Sequence, residues 1–248
     1  DLRMDAESAP GGVYRKSDVA DLPAPVKTYF ETVIEDGQPL VELVRLEQSG
    51  DFRMGGPDGD WRPFSAVQHC NGDPPGFVWD AQIEVAPLLP ARVLDCYVQG
   101  SGILRARLRG VIPVASEGPS PEINEGELLR YLAEAVWYPT ALLPQRGIEW
   151  EPVDTNAARA TVRDGDVSAS LMFHFDDDGF VERVEGERYH QEDDSYATWI
   201  GYFSEYQERN GRLIPLDGEV AWDLPAGESS YWRGTITEIE HSDSAAEA

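Results

Sequence analysis

His69 and Cys70 are adjacent and are of types that could act together, as a nucleophile with its base or as two metal ligands. Successive side chains of a strand point to opposite faces, so the two cannot readily reach one atom. The other histidines, His174, His190 and His241, lack the spacing of a metal-binding motif. The histidines therefore predict no catalytic centre, metal or cofactor, and His69 stays a candidate lining residue of a pocket.

Three arginines recur at every second position of one segment, Arg105, Arg107 and Arg109. In a strand they would share one face, where like charges oppose one another unless neighbours compensate. Two interpretations stay open: pairing with carboxylates of adjacent strands, or a stripe that recognises an anion. Arg107 is the candidate binding residue of this group.

Aromatic residues are dense in the segment 196–206. Tyr196, Tyr202 and Tyr206 alternate with Trp199 and Phe203, so both faces of the predicted strand are apolar or aromatic. A strand that is apolar on both faces needs a layer on each side, which can be a packed core or a lined cavity. Trp199 and Tyr202 are the candidate ligand-binding residues here, because such rings combine apolar walls with a polar tip.

A helix is predicted over residues 124–143, with Asn124 as its cap and a stripe of apolar residues along one side. Its other side carries Glu127, Arg130, Glu134 and Trp137. That side is either solvated, with Arg130 and Glu134 paired at i,i+4, or it lines a hollow. Under the second interpretation Glu127, Arg130 or Glu134 contacts strand residues, and Glu134 and Trp137 are candidate site residues.

Elsewhere, apolar residues alternate with polar ones at a period of two, which is typical of half-buried strands. Gly-containing turns at 164–165, 178–179 and 210–211 separate these runs and predict hairpins. The fold class is therefore mainly β (α+β): about ten antiparallel strands in a large curved sheet or half-barrel around a central helix. We expect one domain over residues 21–241, a flexible acidic arm over 1–20 and a frayed tail over 242–248. Trp79, Phe173 and Trp222 are predicted core residues.

The composition is strongly acidic, with 46 Asp and Glu against 20 Lys and Arg and a formal net charge of -26. Such a field repels phosphate backbones, so nucleic acid is not an expected partner. No apolar run reaches the length that spans a bilayer, so direct membrane insertion is not expected either. Dispersed acid with only two lysines, Lys16 and Lys27, is typical of proteins from salt-loving organisms. Two locations stay open: the cytoplasm, or a membrane tether through a preceding segment.

Three stretches carry a family resemblance: residues 22–30 (LPAPVKTYF), 74–80 (PPGFVWD) and 126–144 (GELLRYLAEAVWYPTALLP). Together with the tail from Phe203 to Ile236, they resemble a family of bacterial and archaeal proteins classed as a domain of unknown function. That family implies no activity. The pattern from Tyr202 through Asn210-Gly211 to Ile214-Pro215 is also similar to the periplasmic lipoprotein-carrier fold, an open half-barrel with an apolar cavity.

These observations leave three hypotheses about function. The first is a non-enzymatic module that holds an apolar or lipid-like small molecule in the hollow of the sheet. The second is an enzyme with a polar cluster near His69, Glu134 and Arg107, and the third is a structural domain of a membrane-tethered protein. The sequence does not indicate an oligomeric state.

Overall fold

The computed structural model describes residues 12–86, 89–108 and 112–243. Within these ranges the chain forms two α-helices, α1 (Ala24–Val33) and α2 (Pro121–Glu134), and thirteen strands. The strands are β1 (Val41–Met54), β2 (Asp60–Asn71), β3 (Gly76–Ala86), β4 (Leu89–Val98), β5 (Ser101–Leu108), β6 (Ile112–Glu117), β7 (Glu149–Pro152), β8 (Ala157–Asp164), β9 (Val167–Phe175), β10 (Val181–His190), β11 (Ser195–Arg209), β12 (Arg212–Leu224) and β13 (Gly227–Asp243).

All of these strands belong to one sheet with the order β6-β5-β4-β3-β2-β1-β13-β12-β11-β10-β9-β8-β7. Each strand pairs antiparallel with its neighbours. The sheet therefore consists of two meanders, β1 to β6 and β7 to β13, joined at the centre by the pairing of β1 with β13. The predicted hairpins are confirmed: Gly165, Gly179 and Gly211 all have positive φ in the connections between consecutive strands.

The sheet is strongly curved, as predicted. Helix α2 packs against β4 and β5 in one meander and against β9 and β10 in the other. Strands β5 and β9 are nine positions apart in the sheet, which would separate them by about 40 Å if the sheet were flat. A helix only about 10 Å wide reaches both because the two meanders curl around it. We call the face towards α2 the inner face and the opposite one the outer face.

The predicted central helix begins and ends earlier than expected. Pro121 occupies the first turn and Ser120 caps the helix, accepting a hydrogen bond from the Ile123 N–H. Asn124, the predicted cap, instead accepts from the Gly102 N–H of β5 at 2.8 Å. After Glu134 the chain continues in 3-10 turns (Ala135–Trp137, Pro139–Leu142 and Pro144–Arg146), because a residue before proline disfavours helical geometry.

The predicted arm over residues 1–20 is wrong for its described part. Val13 forms a β-bridge with Pro39, Tyr14 is fully buried, and Lys16–Val19 forms a 3-10 turn. Residues 1–11 of that prediction lie outside the described ranges. At the other end, Ser242 belongs to β13 and pairs with Leu43 of β1. The predicted fraying therefore does not begin at residue 242. Residues 244–248 lie outside the described chain.

The core fills the inner face. Trp79 is 4% exposed and Phe173 is fully buried, which confirms both as core residues. Trp222 is half-buried and packs against the core, so its predicted burial is only partial. Its ring lies 4.8 Å from that of His190 and 6.3 Å from that of Tyr231.

Candidate functional site

The polar side of α2 is buried rather than solvated. Glu127 is 5% and Trp137 is 2% exposed, and the side chains of Arg130 and Glu134 are 15% and 12% exposed. All three charged residues of this side contact strands, which is what the lining interpretation predicts. A helical wheel shows which residues share a side, but it does not show whether a second element covers them.

Arg130 occupies the centre of this buried side. Its Nη1 donates to Asp95 Oδ2 on β4 at 2.6 Å, and its Nε donates to Glu134 Oε1 at 2.7 Å. The guanidinium also lies over two aromatic rings of β3, 4.7 Å from the centre of Phe77 and 5.2 Å from that of Trp79. Contact with aromatic rings together with several charge-assisted hydrogen bonds is a combination that favours an arginine guanidinium over a lysine ammonium.

Two further residues, Gln68 and Arg188, extend the cluster to other strands. Glu134 Oε2 accepts from Gln68 Nε2 of β2 at 2.5 Å. On the opposite meander, Arg188 Nη2 of β10 donates to Glu127 Oε1 at 2.9 Å, and its guanidinium lies 5.6 Å from the centre of the Trp199 ring. We call Asp95, Glu127, Arg130, Glu134 and Arg188 the inner ion network, and it connects α2 to both meanders.

Burial changes the proton affinities of this network. Removal from water, together with repulsion from Asp95, raises the pKa of Glu127 to about 8, although the charges of Arg188 and Arg130 act in the opposite direction. Burial works against the charge of Arg130, yet the carboxylates of Glu134 and Asp95 hold its pKa above the normal value. With every group ionised, three carboxylates face two guanidinium groups, so the network carries one excess negative charge.

An aromatic surface lies beside the inner ion network. Trp199 Nε1 donates to the Tyr231 hydroxyl at 2.9 Å, and the Tyr231 ring contacts Trp222 and Phe52. Trp232 packs against Phe64 with ring centres 5.7 Å apart. We call Phe52, Trp199, Trp222, Tyr231 and Trp232 the aromatic wall.

A shift in strand register produces part of this wall. The pairing of β12 with β13 slips between Val220 and Ala221, which leaves Tyr231 as an extra residue in β13. Such a bulge allows neighbouring side chains to face the same side, and both Tyr231 and Trp232 contact inner-face rings. Trp199 is buried, whereas Phe52, Trp222, Tyr231 and Trp232 are half-buried.

The wall and the network are adjacent. Arg188 contacts both Glu127 and the ring of Trp199. Burial raises the pKa of the Tyr231 hydroxyl, while the charges of Arg188 and Arg130 lower it. The hydroxyl of the wall therefore lies within the field of the buried charges.

The six predicted site residues divide between the two faces of the sheet. Glu134, Trp137 and Trp199 lie on the inner side, where the Trp137 ring packs 6.4 Å from Phe203. The other three residues belong to the outer face: His69, Arg107 and Tyr202. The predicted polar cluster of His69, Glu134 and Arg107 is therefore not formed, because the sheet separates its members.

The outer-face residues have surroundings of their own. His69 lies opposite Arg45 and Val78, and both His69 and Arg107 are exposed. The Tyr202 hydroxyl donates to Glu228 at 2.8 Å, and its ring borders a shallow depression of about 630 Å³. Arg109, the third member of the arginine series, lies outside the described residues.

Sequence reasoning missed Asp95, Arg188 and Tyr231. The apolar residues Leu94 and Cys96 on either side of Asp95 predict the opposite orientation of β4, whereas Asp95 and Tyr97 face the core. The alternation of Asp95 with Tyr97 in β4 was the available signal, because residues two positions apart in a strand share one face and the tyrosine favours burial. The roles of Arg188 and Tyr231 depend on pairing between distant strands and on a bulge, which no local pattern reveals.

The fold and this site define the class of the protein: an open, curved antiparallel sheet wrapped around one helix, with buried charges and aromatic rings on its inner face. The chain belongs to a family of unknown function (DUF6920), whose model matches residues 20–241. This confirms the family resemblance seen in the sequence. No curated protein matches the chain.

Two solved structures are similar to this chain. One is a LolA superfamily protein from Nitrosomonas europaea, with 12% identity and a TM-score of 0.47 over 89% of this chain and 93% of that one. The other is a beta-barrel-like protein of the domain of unknown function DUF1849 from Brucella abortus, with 10% identity and a TM-score of 0.26 over 82% and 99% of the two chains.

Proposed function

We propose that this protein is a binding module that holds an apolar or lipid-like molecule against the aromatic wall. The observation that carries the proposal is the wall itself: the Tyr231 ring contacts Phe52 and Trp222, Trp232 is the cross-strand partner of Phe52, and all four side chains are half-buried. Contiguous apolar surface in a concave region is typical of ligand sites.

The inner ion network supports this function by fixing the position of α2 relative to both meanders beside the aromatic wall. It ties α2 to β4 through Arg130 and Asp95, and to β10 through Glu127 and Arg188. Buried, paired charges tolerate little rearrangement, because a broken pair leaves an uncompensated charge in a dry environment. The two meanders are therefore held at a fixed separation beside the wall.

The enzyme hypothesis gains less from the structure, because the sheet separates His69 and Arg107 from Glu134. Burial raises the pKa of the Cys70 thiol to about 12, which makes it a poor nucleophile. Among the described residues, neither helix is long and apolar enough to cross a membrane. In the same part of the chain, no group of three or more His, Cys, Asp or Glu side chains is arranged to hold a metal ion.

Titration with N-phenyl-1-naphthylamine, a neutral probe that fluoresces in apolar surroundings, tests the proposal. Trp222→Ala removes a ring of the wall and should weaken binding by about tenfold. Trp61→Ala is the matched control, because this half-buried tryptophan lies on the outer face between Arg53 and Arg233. Native mass spectrometry of the purified protein should show a co-purified lipid-like molecule. Equal probe affinity in both variants, or no probe binding by the wild type, would contradict the proposal.

A further inference from the structure

Buried oxygen atoms of the inner side lack hydrogen-bond donors. Asp95 Oδ1, Glu127 Oε2 and Gln68 Oε1 have no partner among the described residues, and their residues are 7%, 5% and 0% exposed. The second oxygen of each carboxylate is already bound by an arginine. A buried acceptor without a donor costs free energy, so these positions favour a ligand that brings N–H or O–H groups.

The charge balance distinguishes between the kinds of donor. With all groups ionised the inner ion network carries one excess negative charge, and Asp95 and Glu127 repel each other. A neutral hydroxyl would satisfy an acceptor but leave that repulsion in place. An ammonium group supplies three donors and also the missing positive charge.

The position of these oxygens relative to the wall sets the shape of the ligand. Glu127 is joined through Arg188 to the ring of Trp199, which in turn donates to Tyr231. A molecule that reaches the carboxylates therefore has the aromatic wall next to its other end. That arrangement fits an amphiphile with a small cationic head and an apolar chain.

We propose that the ligand carries a primary ammonium head group, which binds between Asp95 and Glu127 while its chain lies on the aromatic wall. This inference rests on the proposed function and adds the chemistry of the head group. A carboxylate head group fits the position poorly because, when ionised, it has no hydrogen to donate to Asp95 Oδ1 or Glu127 Oε2, and a quaternary ammonium fits it poorly because it has no N–H.

The test compares four probes with one chain length, dodecylamine, dodecanol, dodecanoate and dodecyltrimethylammonium, each displacing N-phenyl-1-naphthylamine. Molar potassium chloride screens the acidic surface, which would otherwise attract any cation. Dodecylamine should bind at least about tenfold more tightly than the other three, as expected for charge-assisted hydrogen bonds in a dry site.

Glu127→Gln should abolish this preference, whereas Glu84→Gln, which removes an exposed carboxylate of β3, should leave it unchanged.

Proton release from the wild type provides a second measurement that needs no variant. Glu127 is faced by Asp95 of β4, Arg188 of β10, Tyr231 of β13 and its own helix neighbours Arg130 and Glu134. Because the ammonium favours the ionised carboxylate, calorimetry near pH 7 in buffers of different ionisation enthalpy should detect a released proton.

The outcomes separate the two proposals. Equal affinity for all four probes, or tighter binding of dodecanoate, overturns the head-group inference and leaves the binding function standing. Absence of binding for every probe overturns both. A dodecylamine preference that persists in Glu127→Gln, or calorimetry without proton release, also overturns the inference.

Discussion

Glu127 shows how much the position of one residue changes its chemistry. On an exposed helix face it would be an ordinary surface carboxylate, but here it lies between α2 and β10 with Arg188 on one oxygen. Burial and Asp95 raise its pKa to about 8, so the carboxyl group stays largely protonated below that pH. The number of charges inside the protein therefore changes within the physiological pH range.

This shift predicts a pH dependence of stability. A carboxyl group whose pKa is higher in the folded than in the unfolded state stabilises the fold fully at low pH, and the contribution is lost as the pH rises towards 8. Relative to Glu127→Gln, the wild type should lose unfolding free energy between pH 5 and 8, by at most about 1.4 kcal/mol per pH unit. Urea unfolding in molar salt measures this difference. Glu84→Gln should show no such trend, and parallel wild-type and Glu127→Gln curves would contradict the prediction.

At the scale of elements, the contact between α2 and β5 depends on a glycine. A Cβ atom at Gly102 would lie 2.9 Å from Glu127 Cγ and 3.0 Å from the Ile123 carbonyl oxygen. The same residue donates its N–H to Asn124. The helix therefore approaches the strand more closely than any side chain at position 102 would allow.

Gly102→Ala should push α2 away from β5 and lower the unfolding free energy by roughly 1–3 kcal/mol, as expected for overpacking. Gly118→Ala is the matched control, because a Cβ atom there would meet nothing within 4 Å. Thermal unfolding of the two variants measures the difference. A melting temperature of Gly102→Ala equal to that of the control would show that α2 can move without cost.

The elements also show what a sequence can predict. Strands and hairpins follow from alternation and from turn chemistry, which are local, so the turns at Gly165, Gly179 and Gly211 were identified correctly. The environment of α2 depends on which strands curl around it, and that is decided by pairings far apart in the chain. For the same reason the sequence could not tell that His69 and Arg107 share the outer face while Glu134 lies inside.

At the scale of the whole molecule, the formal net charge of -26 is the dominant electrostatic feature. Ion pairs with exposed partners, such as Arg163 with Glu149, stabilise a fold only weakly. Most of the acidic surface therefore repels itself, and this repulsion is reduced when salt shortens the screening length to about 3 Å at 1 M.

The melting temperature should therefore rise between 0.1 M and 2 M potassium chloride. Sucrose is the control, because it strengthens burial by exclusion from the surface but does not screen charge. A rise in potassium chloride that clearly exceeds the rise in sucrose supports screening. An unchanged melting temperature in salt would remove the argument for a salt-adapted protein.

The pairing of β1 with β13 also has a consequence for how the chain is made. Leu46 pairs with Ile239, so the central seam of the sheet joins segments that leave the ribosome far apart in time. The first meander must wait, with one side of β1 unpaired, until nearly the entire second meander has been translated. A nascent chain stalled at residue 224 would hold the first meander and β7 to β12 without β13, the strand that unites them, and would depend on chaperones to protect the open edge of β1.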